Sequence, residues 1–200
     1  MPTSAPLPDP TTPAPRTERT RIRRHADRAV PERIEEFLRL GHVAHVALAD
    51  DDGNPRLIPF LYHYETGCIY VHGSRGNATL RLLRDGRPVT VAVTELVELI
   101  ASKTAADHSA NYRSAVAYGR GRQIEDIPEK RRILDAMTQR YWPGRTVGRD
   151  YAAAPDEDLA KMDLIGIDID EASAKMRDGD PMGPHDADDA FPGSAFRSPV

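Results

Sequence analysis

The stretch Tyr70-Val71-His72-Gly73-Ser74-Arg75-Gly76-Asn77 joins a predicted strand to a predicted helix. Ile69 to His72 have the apolar character of a strand, and Asn77 is a typical N-cap before leucines at the spacing of a buried helical face. Backbone N–H groups at the two glycines, the Ser74 hydroxyl and the Arg75 guanidinium all favour an anion at this turn. An ordinary solvated turn explains the same residues equally well, so the pattern indicates a phosphate site without establishing one.

Outside this turn the sequence predicts a mainly β protein with flanking helices. Runs rich in Val, Ile, Ala, Tyr and Thr predict strands at 42–49, 56–64, 68–72, 88–94, 96–102 and 114–124, and a last strand is predicted around 164–169. Helices are predicted from Pro31 to Gly41, over 77–84 and over 128–141, and 145–158 is predicted to be a loop. Tight turns between short strands favour an antiparallel sheet that closes into a small barrel with helices outside. The alternation of a dinucleotide-binding fold is missing.

Composition divides the 200 residues into one domain and two tails. Residues 1–18 form a predicted disordered tail, because the first 15 contain six prolines and no basic side chain. Residues 178–200 are rich in Gly, Pro and Asp and form a predicted flexible acidic tail. The folded domain is therefore predicted to span 19–177.

Charge and apolar content exclude several classes of protein. The net charge is −4, and the chain lacks the basic surface pattern of a nucleic-acid-binding protein. No apolar run approaches the length of a membrane span and the N-terminus lacks the apolar core of a signal peptide, so we expect a cytoplasmic protein without a membrane partner. The one cysteine, Cys68, lies in an apolar strand and is predicted to be a small buried side chain.

Two further clusters contain polar side chains in numbers that a core would not tolerate. In the first, Asp107 to Ser114, Asn111 and Arg113 could present donors to a planar ring or to a chain of hydroxyls. The same residues also fit a hydrogen-bonded connection with Arg113 in a surface ion pair. In the second, Glu171 to Arg177, two cations follow the last strand and fit either an anion site or a solvated face.

Five segments, taken in order, resemble the pyridoxamine 5′-phosphate oxidase-like, FMN-binding split-barrel superfamily. They are Arg56–Tyr62, Tyr70–Ser74, His108–Ser114, Tyr118–Arg120 and Glu171–Lys175. Within that superfamily they resemble the flavin-nucleotide-binding branch that includes the nitroimidazole-resistance proteins. His-Gly-Ser, Asn-Tyr-Arg-Ser and Ala-Ser-Ala-Lys are more specific in this order than any of them alone. The resemblance covers about residues 20–177 and implies a split β-barrel.

The resemblance implies a homodimer with FMN, or FAD as a possible alternative, in each of two clefts at the dimer interface. A small-molecule substrate would bind beside the flavin. The implied cofactor-binding residues are Ile58, Pro59 and Phe60 along the flavin ring, with His72, Gly73, Ser74, Arg75, Asn77, His108, Asn111, Arg113, Lys175 and Arg177 around the rest of the cofactor. The candidate catalytic residues are His72 and His108, because histidine titrates in the working range of pH. Either histidine could instead be a hydrogen-bonded structural residue.

The chain departs from the family pattern at two places. Ala78 stands where many members have a basic residue in the helix, so Arg75 would have to take over the phosphate contact. Ala106 and Asp107 precede His108 where an aromatic residue and a second histidine are common. The Asp107 carboxylate would add negative charge near the cofactor, where it could disfavour reduction of the cofactor or raise a neighbour's pKa and act in proton transfer.

The sequence thus predicts an FMN-dependent oxidoreductase acting on a small planar or conjugated substrate. The alternatives are a non-catalytic flavin carrier or redox sensor, and the same barrel binding deazaflavin or haem. Haem requires an accessible histidine, for which His185 is the candidate. No metal site is predicted, because the spacing of His42 and His45 in a strand points their rings to opposite faces.

Overall fold

The structure, a computed structural model, describes residues 17–200 of the chain. The predicted disorder of the first residues, up to 16, lies outside the described residues. Thr17 and Glu18, which the sequence assigns to the same tail, make specific contacts. The Thr17 hydroxyl donates to Glu171, and Glu18 pairs with Arg23. The described chain therefore contacts the domain from its first residue onward.

Eight strands form one antiparallel sheet. They are β1 (Ala44–Ala49), β2 (Pro55–Phe60), β3 (His63–Glu65), β4 (Cys68–Ser74), β5 (Pro88–Ala101), β6 (Ser109–Gln123), β7 (Met162–Arg177) and β8 (Phe196–Pro199). The order across the sheet is β2-β1-β5-β6-β7-β4-β3, and β8 pairs with β5 outside this path. The long strands β5, β6 and β7 lie at the centre of the sheet, and each of them has a paired strand on both sides.

The connection between β2 and β3 shows that this sheet is curved into a barrel. Only Leu61 and Tyr62 separate the two strands, although they lie at opposite ends of the strand order. Three trans peptide links span at most about 11 Å, whereas the outer members of seven flat, adjacent strands would lie roughly 29 Å apart. The sheet must therefore curl until its two edges approach each other. The mainly β split-barrel fold predicted from the sequence is confirmed.

Within residues 17–200, four α-helices flank the sheet: α1 (Ile34–Leu40), α2 (Ala78–Arg84), α3 (Ile127–Tyr141) and α4 (Asp156–Lys161). Asn77 caps α2 as predicted, because its side-chain oxygen accepts the N–H groups of Thr79 and Leu80 at 2.9 and 3.2 Å. Asp126 caps α3 in the same way through Glu129 N–H at 2.9 Å. Part of the loop predicted over 145–158 is helical, since α4 begins at Asp156. None of the helices in residues 17–200 is long and apolar enough to cross a membrane.

Strand boundaries differ from the sequence prediction in several places. Strand β6 begins at Ser109, before the predicted start at 114, so Asn111 and Arg113 lie on a strand. The run 56–64 is divided at the Leu61–Tyr62 corner, and the two runs 88–94 and 96–102 are one strand with a bulge between Leu96 and Glu98. The last strand extends through Arg177, beyond the predicted range 164–169. Its polar second half is strand because it pairs with β6 over its whole length, and this pairing overrides the weak local propensity.

The core has two parts. The larger part lies between the sheet and α1 and α2 and contains Leu38, Val46, Leu80, Val91 and Ile167, among others. The smaller part lies under α3 and contains Cys68, Tyr70, Ile124, Ile133, Met137 and Leu164. Cys68 is buried as predicted, and burial raises the pKa of its thiol to about 12. It is therefore protonated at neutral pH.

The segment 178–200 is placed against the sheet, whereas the sequence predicts a flexible tail. Its last strand, β8, pairs with Glu98–Ala101 of β5, and Arg197 donates to Glu98 at 2.5 Å. Asp186 accepts the Ser102 hydroxyl and the Lys103 N–H at 2.7 and 2.8 Å. None of the described residues in this segment is buried. Backbone and charged groups make these contacts, so apolar content does not predict them.

Candidate functional site

The turn between β4 and α2 is tight and exposed. Asn77 N–H donates to Ser74 O at 2.9 Å, and Gly76 N–H donates to the Ser74 hydroxyl at 3.3 Å. A Cβ on Gly73 would lie 3.0 Å from Leu80 Cδ1, so glycine allows the first turn of α2 to pack closely against the end of β4. The sequence HGSRGN thus forms a short turn whose polar groups face outward.

Arg75 is the cation of this turn, and it makes no hydrogen bond to a carboxylate in the described part of the chain. Its side chain is 66% exposed, and the nearest carboxylate oxygen, Asp163 Oδ1, lies 3.9 Å from Nε. That distance is too long for a hydrogen bond, so the guanidinium N–H groups remain available to an anion. Asn77, by contrast, uses its side-chain oxygen to cap α2. Arg75 is therefore the stronger candidate for a direct phosphate contact, and Asn77 shapes the turn.

The two candidate catalytic histidines lie in different surroundings. His72 is half-buried on β4 opposite Leu164, and its ring makes no hydrogen bond to another residue in the part of the chain that the structure describes. Burial lowers the pKa of His72, which favours the neutral imidazole. His108 is exposed, and its Nδ1 accepts the Ser102 N–H at 3.1 Å. In the neutral ring the proton of His108 is then on Nε2.

Asn111 and Arg177 are buried and bonded to each other. Arg177 donates to Asn111 Oδ1 at 2.5 Å and to the backbone oxygens of Gly179 and Asp180 at 3.1 and 2.8 Å. Asn111 Nδ2 donates to Glu98 at 2.8 Å. The sequence assigns both side chains to the cofactor, whereas the structure uses them to hold the C-terminal segment. Their polar atoms are occupied inside the chain because β6, β7 and this segment converge there.

Arg113 and Lys175 lie on the same part of the sheet but are more open. Arg113 donates to Glu95 at 3.1 Å, directly across the β5–β6 pair, and its side chain is 35% exposed. Lys175 Nζ donates to Arg24 O at 3.3 Å. Each cation therefore keeps N–H groups that could contact a ligand.

Strand β2, which carries Ile58, Pro59 and Phe60, has one open edge, since it pairs with β1 alone among the described strands. Ile58 and Phe60 are half-buried and Pro59 is exposed. Leu57 and Leu61 are 60% and 50% exposed. This strand thus offers apolar side chains and free backbone groups at the surface.

These residues form two separate groups within one chain. The β4–α2 turn lies beside Met162 to Leu164 of β7, and Arg113 lies beside Met176 near the other end of the same strand. Leu164 and Met176 are twelve residues apart, which corresponds to roughly 40 Å along an extended strand. Within one chain these two groups therefore lie near opposite ends of β7.

A polar cavity of about 260 Å³ adjoins Arg75, and sequence analysis did not identify it. Its lining includes Arg84, Gln123, Lys130 and Asp163. The sequence does contain a sign of this cavity, because Lys130 lies on the buried face of α3 at helical spacing from Ile133 and Met137. A lysine at such a position requires buried partners, and it donates to the backbone oxygens of Leu159 and Met162, both at 2.8 Å.

Comparison with known proteins relates this geometry to a family. The family model "Pyridoxamine 5′-phosphate oxidase" matches residues 31–176. A comparison with curated proteins gives no match.

Three solved structures are similar. The FAD and heme binding protein from Mycobacterium smegmatis is 33% identical, with a TM-score of 0.75, over 84% of this chain and 81% of that one. The flavocytochrome Anf3 from Azotobacter vinelandii is 26% identical, with a TM-score of 0.77, over 94% of this chain and 86% of that one. A protein assigned to 5-nitroimidazole antibiotic resistance in Bacteroides thetaiotaomicron is 22% identical, with a TM-score of 0.60, over 74% of this chain and 85% of that one. At this identity the similarity shows a shared fold alone. The chain belongs to the pyridoxamine 5′-phosphate oxidase family, as the order of its sequence segments predicts.

Proposed function

We propose that this protein is a flavin-dependent oxidoreductase and that the cofactor phosphate binds at the β4–α2 turn. The observation that carries the proposal is the exposed Arg75 guanidinium, which lies in a tight, glycine-containing turn and has no hydrogen-bonded carboxylate among residues 17–200. The M. smegmatis protein, at 33% identity, binds FAD and haem, and the A. vinelandii protein is a flavocytochrome. Both comparisons support a flavin in this barrel.

Two arguments support two different forms of the flavin. The sequence resemblance implies FMN, whereas the M. smegmatis relative supports FAD. Both share the riboflavin phosphate that Arg75 would bind, so the proposed role of the turn is the same for either. The mass of the released cofactor distinguishes them.

A second copy of the chain would complete the site. The β4–α2 turn and the Arg113 group lie near opposite ends of β7, and we propose that the two groups at one flavin come from different copies. The open edge of β2 and its exposed Leu57 and Leu61 provide apolar surface of the kind that partner subunits cover. We infer a homodimer in which each flavin lies between groups from both copies.

A bound flavin supplies hydride or electron transfer, and the protein supplies orientation, exclusion of water and charge. Burial lowers the pKa of His72 and so favours the neutral ring, which is the form that accepts a proton. His108 presents its Nε2 proton outward because Nδ1 is bonded to Ser102. Arg113 supplies positive charge that Glu95 partly offsets. We propose a small planar or conjugated substrate, no nucleic-acid or membrane partner, and a cytoplasmic location.

The first test is the absorbance spectrum of the purified full chain, followed by mass analysis of any molecule released on denaturation. We expect flavin bands and FMN or FAD in the released fraction. Reduction by NADH or NADPH, followed by turnover with an acceptor, then separates an oxidoreductase from a non-catalytic carrier. A colourless protein that takes up neither FMN nor FAD would exclude the proposal.

A matched pair of variants tests the phosphate contact. Arg75→Gln should weaken flavin binding, and Arg81→Gln should leave it unchanged, because Arg81 lies on α2, after the turn, and pairs with Asp51. Fluorescence titration of each variant with FMN and FAD measures the effect. Equal affinities for the two variants would remove Arg75 from the site.

The second candidate function is binding of haem together with flavin. It is supported by the M. smegmatis FAD and heme binding protein and by the A. vinelandii flavocytochrome. His185 stacks on Phe191 with 4.0 Å between ring centroids, and the neighbouring Asp186 bonds to Ser102, whose N–H donates to His108. A haem-loaded protein would show a sharp Soret band. Replacing His72, His108 and His185 by alanine, one at a time, would identify the iron ligands by loss of that band.

A further inference from the structure

We propose that Tyr141 is a positioning residue, whose hydroxyl fixes the corner between β2 and β3 and, through that corner, the open edge of β2. In the proposed flavoprotein this edge borders the flavin ring, and that part of the inference rests on the proposed function. Tyr141 is the last residue of α3, a helix that the proposed phosphate contact does not use. A helix outside the sheet would therefore set the geometry of a strand at the candidate site.

The position of β2 depends on few contacts. Among the described strands it pairs with β1 alone, and only Leu61 and Tyr62 connect it to β3, at the opposite end of the strand order. A central strand is fixed by hydrogen bonds on both sides, whereas β2 has such bonds on one side in the described chain. The corner after Phe60 is therefore the second point that holds this strand.

Both backbone groups of the corner residue Tyr62 bond to the Tyr141 hydroxyl. Tyr62 N–H donates to this hydroxyl at 2.8 Å, and Tyr62 O lies 2.9 Å from it. Tyr62 is fully buried, so its peptide groups need such a partner inside the protein.

The same hydroxyl also reaches the connection between α1 and β1. It lies 2.9 Å from His42 O, two residues before β1 begins. A hydroxyl has one proton, so the carbonyl oxygens of His42 and Tyr62 share it. Since β1 is the strand that pairs with β2, Tyr141 links the two points that hold β2 in place.

A second set of contacts holds the end of α3 without this hydroxyl. The Arg140 guanidinium lies over the Tyr62 ring, 4.5 Å from its centroid, and donates to Gly41 O. The Tyr62 hydroxyl donates to Leu38 O at 2.6 Å. Loss of the Tyr141 hydroxyl should therefore loosen the corner, while α3 and the Tyr62 ring stay in place. A variant without the hydroxyl should still fold.

The corner and the proposed phosphate contact are separate parts of the structure. Phe60, the last residue of β2, lies directly before the corner. His63, directly after the corner, pairs with Tyr70, and Arg75 lies five residues beyond Tyr70, roughly 16 Å along an extended strand. A shift of the corner should thus change contacts to the flavin ring and leave the phosphate contact unchanged.

The test titrates the full chain, freed of bound cofactor, with riboflavin, which lacks the phosphate, and with FMN. Tyr141→Phe should lower the affinity for both ligands by the same factor, about three- to tenfold, as expected for the loss of a hydrogen bond. It should also shift the visible absorption and circular dichroism bands of the bound flavin. Arg75→Gln, by contrast, should lower the affinity for FMN and leave the affinity for riboflavin within about twofold.

Tyr64→Phe is the matched control. It removes the hydroxyl of a buried tyrosine that accepts Gly67 N–H at 3.2 Å in the next turn along the chain, between β3 and β4. This variant should leave both affinities and the flavin bands unchanged. A difference between the two Tyr→Phe variants therefore reports the position of the hydroxyl, because each variant loses the same chemical group.

Hydrogen exchange of the flavin-free chain adds a measurement that needs no ligand. In Tyr141→Phe the amides of 57–62 should exchange faster than in the wild type, while those of 68–74 should be unaffected. A wild type that takes up no flavin would overturn the proposed function, and faster exchange at the corner would still support the positioning role. Unchanged exchange over 57–62 would overturn the inference. So would faster exchange without any change in the affinity or spectrum of a bound flavin, since Tyr141 would then be a structural contact alone.

Discussion

The Arg177 guanidinium donates to the side-chain oxygen of Asn111 at 2.5 Å, and both residues are buried. Gly179 N–H donates to the same oxygen at 3.0 Å, and Asn111 Nδ2 donates to Glu98. One amide therefore connects β5, β6 and β7 with the start of the C-terminal segment. These two side chains hold the C-terminal segment in place within the chain.

Asn111→Ala should destabilise the protein by about 2 kcal/mol, because it removes acceptors from buried groups and leaves the Arg177 charge with fewer partners. Arg177 keeps the backbone oxygens of Gly179 and Asp180, which limits the loss. Urea unfolding measures the change. Ser109→Ala, at an exposed position of the same strand, should stay within about 0.5 kcal/mol of the wild type. Equal stability of Asn111→Ala and wild type would show that the network adds no net stability.

Deleting residues 178–200 should leave the barrel folded but less stable. No described residue of that segment is in the buried core, so the core packing stays intact. The deletion removes β8, the Arg197–Glu98 pair and two acceptors of Arg177. We expect a decrease of about 1 to 3 kcal/mol, since such polar contacts contribute modestly one by one. Thermal unfolding measures it, with a shorter deletion of 193–200 as the comparison. Loss of cooperative unfolding in either protein would contradict the expectation.

Stability should fall with pH in a way that depends on His72. Burial lowers the pKa of His72 in the folded chain, so the unfolded chain takes up this proton at higher pH. The contribution is fully present above the unfolded pKa of about 6.5 and is lost as the pH falls toward the folded value. Between pH 7 and 5, the free energy of unfolding should therefore decrease less for His72→Gln than for the wild type.

The control for this pH dependence is His45→Gln, whose side chain is exposed on β1. His63 is also half-buried with a pKa lowered mainly by burial, so His63→Gln should act in the same direction as His72→Gln. Parallel curves for the wild type and His72→Gln would show that His72 is solvated enough to titrate normally.

Arg113→Ala should weaken flavin binding by about 1.5 to 3 kcal/mol if the guanidinium makes a charge-assisted hydrogen bond to the cofactor. Glu95→Gln is the informative partner variant, because it removes the carboxylate that now accepts from Arg113 and leaves the cation free. Flavin affinity should then be unchanged or higher. Unaltered binding in Arg113→Ala would place this residue outside the cofactor site and leave it as a cross-strand ion pair.

The local features of the fold were predictable from short stretches of sequence. Asn77 caps α2 because its side-chain amide accepts hydrogen bonds from backbone N–H groups two and three residues later. The HGSRGN turn likewise depends on contacts between residues close in sequence. Alternating apolar residues indicated most strands, since the side-chain period of a strand is set by its own backbone. The order of the segments was sufficient to identify the family.

Contacts between distant residues needed the tertiary structure. Sequence alone determined that Asn111 and Arg177 are polar and near strand ends, whereas the folded chain decided that they bind each other. The same holds for Gln123 and Asp163, whose side chains the barrel brings together across 40 positions of sequence, with Gln123 Nε2 3.4 Å from Asp163 Oδ1. The physical reason is that local propensity acts over a few residues, while the partner of a buried polar group is chosen by whichever strands the sheet places beside it.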